Sequence, residues 1–275
     1  MTGAAGGIGR WIALGLARAG HHTILVGRDA ARVEAAQAWI ADRVPHASTE
    51  IMIADLSLVG ATGALGDAIV ARHPKIAVLV NNAGIFEATR VVTAEGHERV
   101  LATNLLSPFV LTRALLPALV AGAPSRIVTV GSSTSDSAHV DPDRLVLGAR
   151  WTMVKAYGQS KLAAMMMTFA FARQLPGTGV VANVVHPGLV ASGLVRTPGI
   201  IGFAWACMAP FALSEEQGAD TPLVAALAPE FANVTGAYLK TRRAVPPNPQ
   251  ALDPALVERV WAATQSLADE PPART

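Results

Sequence analysis

Tyr157 and Lys161 stand four positions apart and form a pair that can handle a proton. On a helix, residues i and i+4 share a face. A phenol titrating near about 10 is a poor acid–base group at neutral pH. A neighbouring ammonium favours its ionised form and brings it toward use. Taken alone, such a pair is equally an exposed tyrosine beside a solvated lysine. A second candidate is the glycine-rich opening MTGAAGGIGR. Gly3, Gly7 and Gly9 stand where a chain can turn tightly and let a phosphate approach the backbone. A helix from Ile8 onward would offer its unpaired N–H groups and positive dipole end to that anion. The spacing is TGxxxGxG rather than GxGxxG, and a bare glycine turn can also be purely structural.

These residues need a scaffold, and the apolar pattern supplies one. Continuous apolar runs at 23–27, 50–54, 76–81, 126–131 and 180–186 predict strands covered on both faces. Ala/Leu-rich helical segments lie between them, near 8–19, 30–44, 58–73, 94–120 and 156–174. Strands alternating with helices predict an α/β fold, a Rossmann-like doubly wound parallel sheet in a single domain over 1–275. In such a fold the glycine turn follows a central first strand, and none precedes it here. The expectation is a start further upstream or a sheet with a gap.

Composition narrows the function classes. Of 275 residues, 51% are hydrophobic and 15% charged, and the formal net charge is +2, which excludes general disorder. No block of like charges offers a nucleic-acid footprint. One cysteine, Cys207, excludes a disulfide framework and a multi-cysteine metal site, and no metal is expected. No apolar run of membrane-spanning length is evident, so a cytoplasmic protein is expected.

Further motifs extend the pattern. Asn81-Asn82-Ala83-Gly84 ends the third apolar run, Ser132 and Ser133 end the fourth, YxxxK covers 157–161, and Pro187-Gly188 closes the fifth. With TGAAGGIG, these resemble, in order, the short-chain dehydrogenase/reductase family. The 25-residue step from Ser132 to Tyr157 and the stretch HPGLVASGL resemble its retinol dehydrogenase-like branch. The resemblance implies that Tyr157 exchanges a proton with the substrate oxygen and that Ser132, with Ser133 as the alternative, orients that oxygen. Lys161 would also hold the nicotinamide ribose, and Asn104 would position a water. Gly3, Gly7, Ile8, Gly9, Asn82, Ala83, Gly84, Pro187 and Gly188 would line the cofactor. Asp55 and Leu56 would lie beside the adenine, and Ser192 at the nicotinamide amide. Asn104, Ser132 and Asp55 could instead be a satisfied helix polar group, a turn residue and a helix cap.

At the tip of the second strand an acid binds ribose hydroxyls, whereas arginine accommodates a 2′-phosphate. The chain reads LVGRD there, and Arg28 favours NADP(H) over NAD(H) unless it pairs with Asp29. Residues 189–213 are apolar and aromatic (Ile200, Ile201, Phe203, Trp205, Met208, Phe211) and read as a substrate lid for a lipophilic molecule. Peripheral membrane contact or a subunit interface would have the same composition, and a homo-oligomer paired through long helices fits the family. The expected activity is NADP(H)-dependent interconversion of a lipophilic alcohol and its aldehyde or ketone. The alternatives are a catalytically silent dinucleotide-binding regulator and an epimerase or dehydratase sharing YxxxK.

Overall fold

The computed structural model describes residues 1–191 and 212–269. The expected alternation is present: α1 (Gly7–Arg18), β1 (Thr23–Gly27), α2 (Ala30–Ala41), β2 (Thr49–Ile53), α3 (Val59–Arg72) and β3 (Val78–Asn81). Next come α4, a continuous helix over Arg99–Ala121 with a π-helical turn at Ala102–Leu106, then β4 (Ser125–Val130), α5 (Met153–Gln174) and β5 (Val180–His186). Four elements without a counterpart in the apolar pattern follow: α6 (Glu215–Leu227), β6 (Tyr238–Lys240), β7 (Arg243–Val245) and α7 (Pro254–Asp269). All ladders are parallel except the terminal β6–β7 hairpin.

The sheet is divided. β1 pairs only with β2, and β3 to β7 form a separate five-stranded sheet. The opening residues bridge the two: Val26 N donates to Met1 O (3.0 Å), Thr2 N to Val80 O (3.0 Å) and Ala4 N to Val26 O (3.1 Å). Beneath this rung lies a slot of about 260 Å³ between β1 and β3, walled by Leu16, Ile69, Leu111 and Leu115. Among the described residues, no strand lies between β1 and β3.

Helix boundaries follow local chemistry. Asp29 accepts from Arg32 N and caps α2, Thr152 caps α5, and Ser214 with Gln217 forms a reciprocal capping box on α6. The α3 N-terminus has no cap from its own segment; Glu95 accepts from both Val59 N and Gly60 N instead.

Helix α5 is buried continuously from Ala156 to Ala172. Helix α7 covers it: Trp261 meets Phe109 of α4 and Phe171 of α5 edge-on, each at 4.9 Å, and Arg113 pairs with Asp269. Helix α4 corrects one expectation, since Arg99–Ala121 is apolar and long enough to cross a membrane by length and composition. Most of it is buried against the sheet and α3, the position of a core helix.

Candidate active site

The C-terminal ends of the parallel strands converge on a cavity of about 500 Å³. Its floor is the glycine turn. Gly3 and Gly7 have φ of 69° and 58°, values that favour glycine. A Cβ on Gly9 would collide with the Gly3 carbonyl. The α1 N-terminus carries no acid in its first turn and, among the described residues, no side-chain cap, so its first N–H groups are available at the cavity. Ile8, Asn82, Ala83, Gly84, Arg28 and Pro187 line the same space with Tyr157 and Lys161.

Thr2 fixes the two loops against each other. Its hydroxyl accepts from Asn82 N and Ala83 N, both at 3.0 Å, and Asn82 Nδ2 donates to Thr2 O (3.1 Å) and Gly3 O (3.2 Å). Gly84 allows a close approach: a Cβ there would lie 3.1 Å from Lys161 Nζ and 3.4 Å from Asn104 Oδ1.

Tyr157 and Lys161 are buried on one face of α5. Lys161 Nζ donates to Val130 O (2.9 Å) and lies 5.9 Å from the Tyr157 ring centroid. Burial pushes this lysine down to about 8. The same burial raises the Tyr157 phenol, opposed by a hydrogen bond from Ser132. This corrects the expectation that the lysine pulls the phenol down: the desolvation of a nearly inaccessible hydroxyl outweighs its neighbours. Phe86 packs edge-on against Tyr157 at 4.9 Å and walls one side of the phenol.

Of the serine pair, Ser132 is the one close enough to Tyr157 to oppose the rise of its pKa, whereas Ser133 is exposed. Ser132 Oγ accepts from Thr134 N (3.3 Å) and Thr134 Oγ1 (3.0 Å), which fixes the side chain in place. Asn104 sits in the π-helical turn of α4, buried, with Oδ1 accepting from Ile85 N (2.9 Å). Its amide donates to Ile85 O (3.0 Å) and Ser160 Oγ (3.1 Å), so it pins the loop after Gly84 to α5.

Not every expected residue meets the cavity. Asp55 Oδ1 accepts from Ser57 N (2.9 Å), a turn-forming bond just ahead of α3, and the Leu56 side chain is buried in the core. Gly188 lines a neighbouring cleft with His186 and Thr221. Ser192, Cys207 and residues 192–211 of the expected lid lie outside the described residues. Several lining residues were missed, among them Phe86, Arg32 and Glu215. Arg32, four positions after Arg28 at the start of α2, lines the cavity beside it; the i, i+4 spacing is its sequence signal. Glu215, at the start of α6, enters from far along the chain and pairs with Arg10 at 3.7 Å. Neither Arg28 nor Arg32 has a carboxylate partner among the described residues, because Asp29 is committed to capping α2.

This arrangement can hold a diphosphate at the α1 N-terminus and bring a reacting oxygen to a phenol. Residues 1–198 match the family model described as short chain dehydrogenase. The chain belongs to the short-chain dehydrogenase/reductase family. It is 34% identical to human retinol dehydrogenase 13 over 274 residues, 97% of this chain and 83% of that one. It is also 34% identical to bovine dehydrogenase/reductase SDR family member 13, covering 98% of this chain and 72% of the relative. A short-chain dehydrogenase from Burkholderia cenocepacia, solved in complex with NADP, superposes with a TM-score of 0.70 at 25% identity, covering 86% and 93% of the two chains. As a short-chain dehydrogenase/reductase of the retinol dehydrogenase-like branch, the chain is an oxidoreductase of a family that uses NAD(P).

Proposed function

We propose that this protein is an NADP(H)-dependent oxidoreductase interconverting a lipophilic alcohol and its aldehyde or ketone, with Tyr157 as the acid–base group. The observation that carries the reading is a single cavity lined by Tyr157 and Lys161 together with Arg28 and Arg32, two arginines without a carboxylate partner among the described residues; Ser132, near Tyr157, lies just outside that lining. A named relative acts on retinol, and the apolar composition of 189–213 suits a substrate of that polarity.

The residues fit the dinucleotide. The capless α1 N-terminus and the glycine turn accept a diphosphate, and Arg28 with Arg32 offers two planar forks to a 2′-phosphate. Lys161 has Val130 O as its one acceptor among the described residues, which leaves N–H groups for ribose hydroxyls. When bound, the nicotinamide supplies or accepts the hydride at the substrate carbon.

The protein's own groups manage the oxygen. Ser132 Oγ–H hydrogen-bonds the carbonyl oxygen and sets its direction. Tyr157 O–H, held near its neutral form by burial, donates its proton to that oxygen during reduction and takes it back during oxidation. Lys161 places positive charge beneath the phenol and favours the phenolate left after donation. Phe86 keeps water from one side of the ring.

The test is a fluorescence titration with NADPH and NADH, followed by turnover with all-trans-retinal and medium-chain aldehydes. Tighter NADPH binding and aldehyde-dependent NADPH oxidation support the reading. Binding without turnover of any carbonyl favours the silent regulator. Preference for NADH overturns the arginine argument and leaves the oxidoreductase in place.

A further inference from the structure

At the opposite end of the strands from the cofactor cavity, three ligand-type side chains converge. His22 immediately precedes β1, Glu50 lies in β2 and His73 caps the C-terminus of α3. Their donor atoms all lie within 4.8 Å of one another. Both imidazoles aim Nε2 at the same carboxylate oxygen, Glu50 Oε2, His73 at 2.8 Å and His22 at 3.6 Å. Ligands about 2.0–2.2 Å from a tetrahedral ion stand roughly 3.4 Å apart, so these separations bracket the edges of such a site.

We infer that His22, Glu50 and His73 form a binding site for a zinc-type divalent cation. Two features go beyond proximity. His22 Nδ1 lies 2.7 Å from Ser48 Oγ, and a proton donated to that hydroxyl leaves the Nε2 lone pair facing Glu50. The two rings are 5.3 Å apart and tilted by 32°, so both nitrogens can address one point. Two imidazoles and one carboxylate select Zn²⁺, Co²⁺ or Ni²⁺ over Mg²⁺ and Ca²⁺. Three protein ligands leave a fourth position for a water molecule.

Arg72 is the competitor. It pairs with the other carboxylate oxygen, Oε1, but its side chain is 61% exposed and can swing into solvent when a cation arrives. The rival arrangement is a plain ion-pair network in which a proton on His73 takes the place of the metal. The consequence of metal binding is structural: the ion ties β1, β2 and α3 together.

The experiment uses tag-free protein stripped with a chelator and titrated with Co²⁺. One equivalent should develop the intense visible bands of four-coordinate cobalt, Zn²⁺ should displace it, and millimolar Mg²⁺ should not. His22→Ala and His73→Ala should each weaken binding at least tenfold, and NADPH binding should stay unchanged as a folding control. In the unmutated chain, Zn²⁺ should protect His22 and His73 from diethylpyrocarbonate, read by mass spectrometry, while the exposed His46 remains reactive. No cobalt spectrum, equal binding by the variants, or equal modification with and without Zn²⁺ would each overturn the site and leave the ion-pair network.

Discussion

Lys161 reaches from α5 across to the last residue of β4, donating its ammonium to Val130 O at 2.9 Å. That bond holds a fully buried charge, and burial lowers the lysine from 10.5 to about 8. The unfolded chain therefore binds this proton more tightly than the folded one, and the fold loses stability as pH falls from 10.5 toward 8. Cofactor-free Lys161→Met should melt higher than the parent at pH 7, a gain of up to about 3 kcal/mol from the removed desolvation. The advantage should shrink as pH rises above 8, while carbonyl reduction falls at least a hundredfold throughout. Thermal melts at pH 7 and 9.5 with parallel assays check both halves.

The arginine pair makes a separable statement about the cofactor. Arg28 and Arg32 are exposed and have no carboxylate partner among the described residues, so their removal should cost the fold little. Arg28→Ala and Arg32→Ala should each weaken NADPH binding by about tenfold, one charge-assisted contact. NADH binding should change by less than twofold. Titrations at low and high salt should show the NADPH preference shrinking as salt screens the two guanidinium groups.

His97 is a local conflict in the core. It is 2% exposed, and both ring nitrogens lack a partner among the described residues. Burial lowers its pKa below 6.5, with Glu95 opposing. The unfolded chain then takes up the proton first, so stability falls as pH drops below about 6.5. His97→Leu should gain about 1–2 kcal/mol at pH 7.5, the cost of one desolvated polar side chain, and more at pH 5.5. Urea unfolding at the two pH values measures the difference.

Much of the site was legible because short motifs at strand ends keep their partners close along the chain. Tyr157 and Lys161 are one helical turn apart, so spacing placed that pair together, whereas Ser132, directly after β4, was joined to them by the family resemblance. The glycine turn was legible for the same reason. Arg32 was within reach, one turn beyond Arg28. Glu215 was not, since it enters the cavity from α6. The direction of the Tyr157 shift was hidden too, because sequence shows the charge beside a group and not its burial. The trio of His22, Glu50 and His73 comes from three elements whose register only the folded sheet supplies. Asp55 has a local role that sequence also offered, since its Oδ1 holds the turn at Ser57.

Helix α7 had no clear apolar signature, yet it closes the core. Trp261 bridges Phe109 and Phe171, and Arg113 ties to Asp269 at the helix end. Because this helix packs on the outer face of α5, two copies should not pair through α4 and α5, and sedimentation with cross-linking should place any self-contact elsewhere. Trp261→Ala should cost about 2–4 kcal/mol, less than a fully buried tryptophan because its ring edge stays accessible. It should also promote self-association by baring α5. Chemical unfolding and sedimentation of the variant test the two effects together.

Tyr157→Phe tests the central claim most directly, since it removes one oxygen and leaves the ring against Phe86. NADPH binding and carbonyl-dependent NADPH oxidation should be measured on the same preparation. The account predicts NADPH affinity within threefold of the parent and turnover lowered at least a thousandfold. A variant that binds NADPH and still reduces a carbonyl at a rate near the parent's would contradict it.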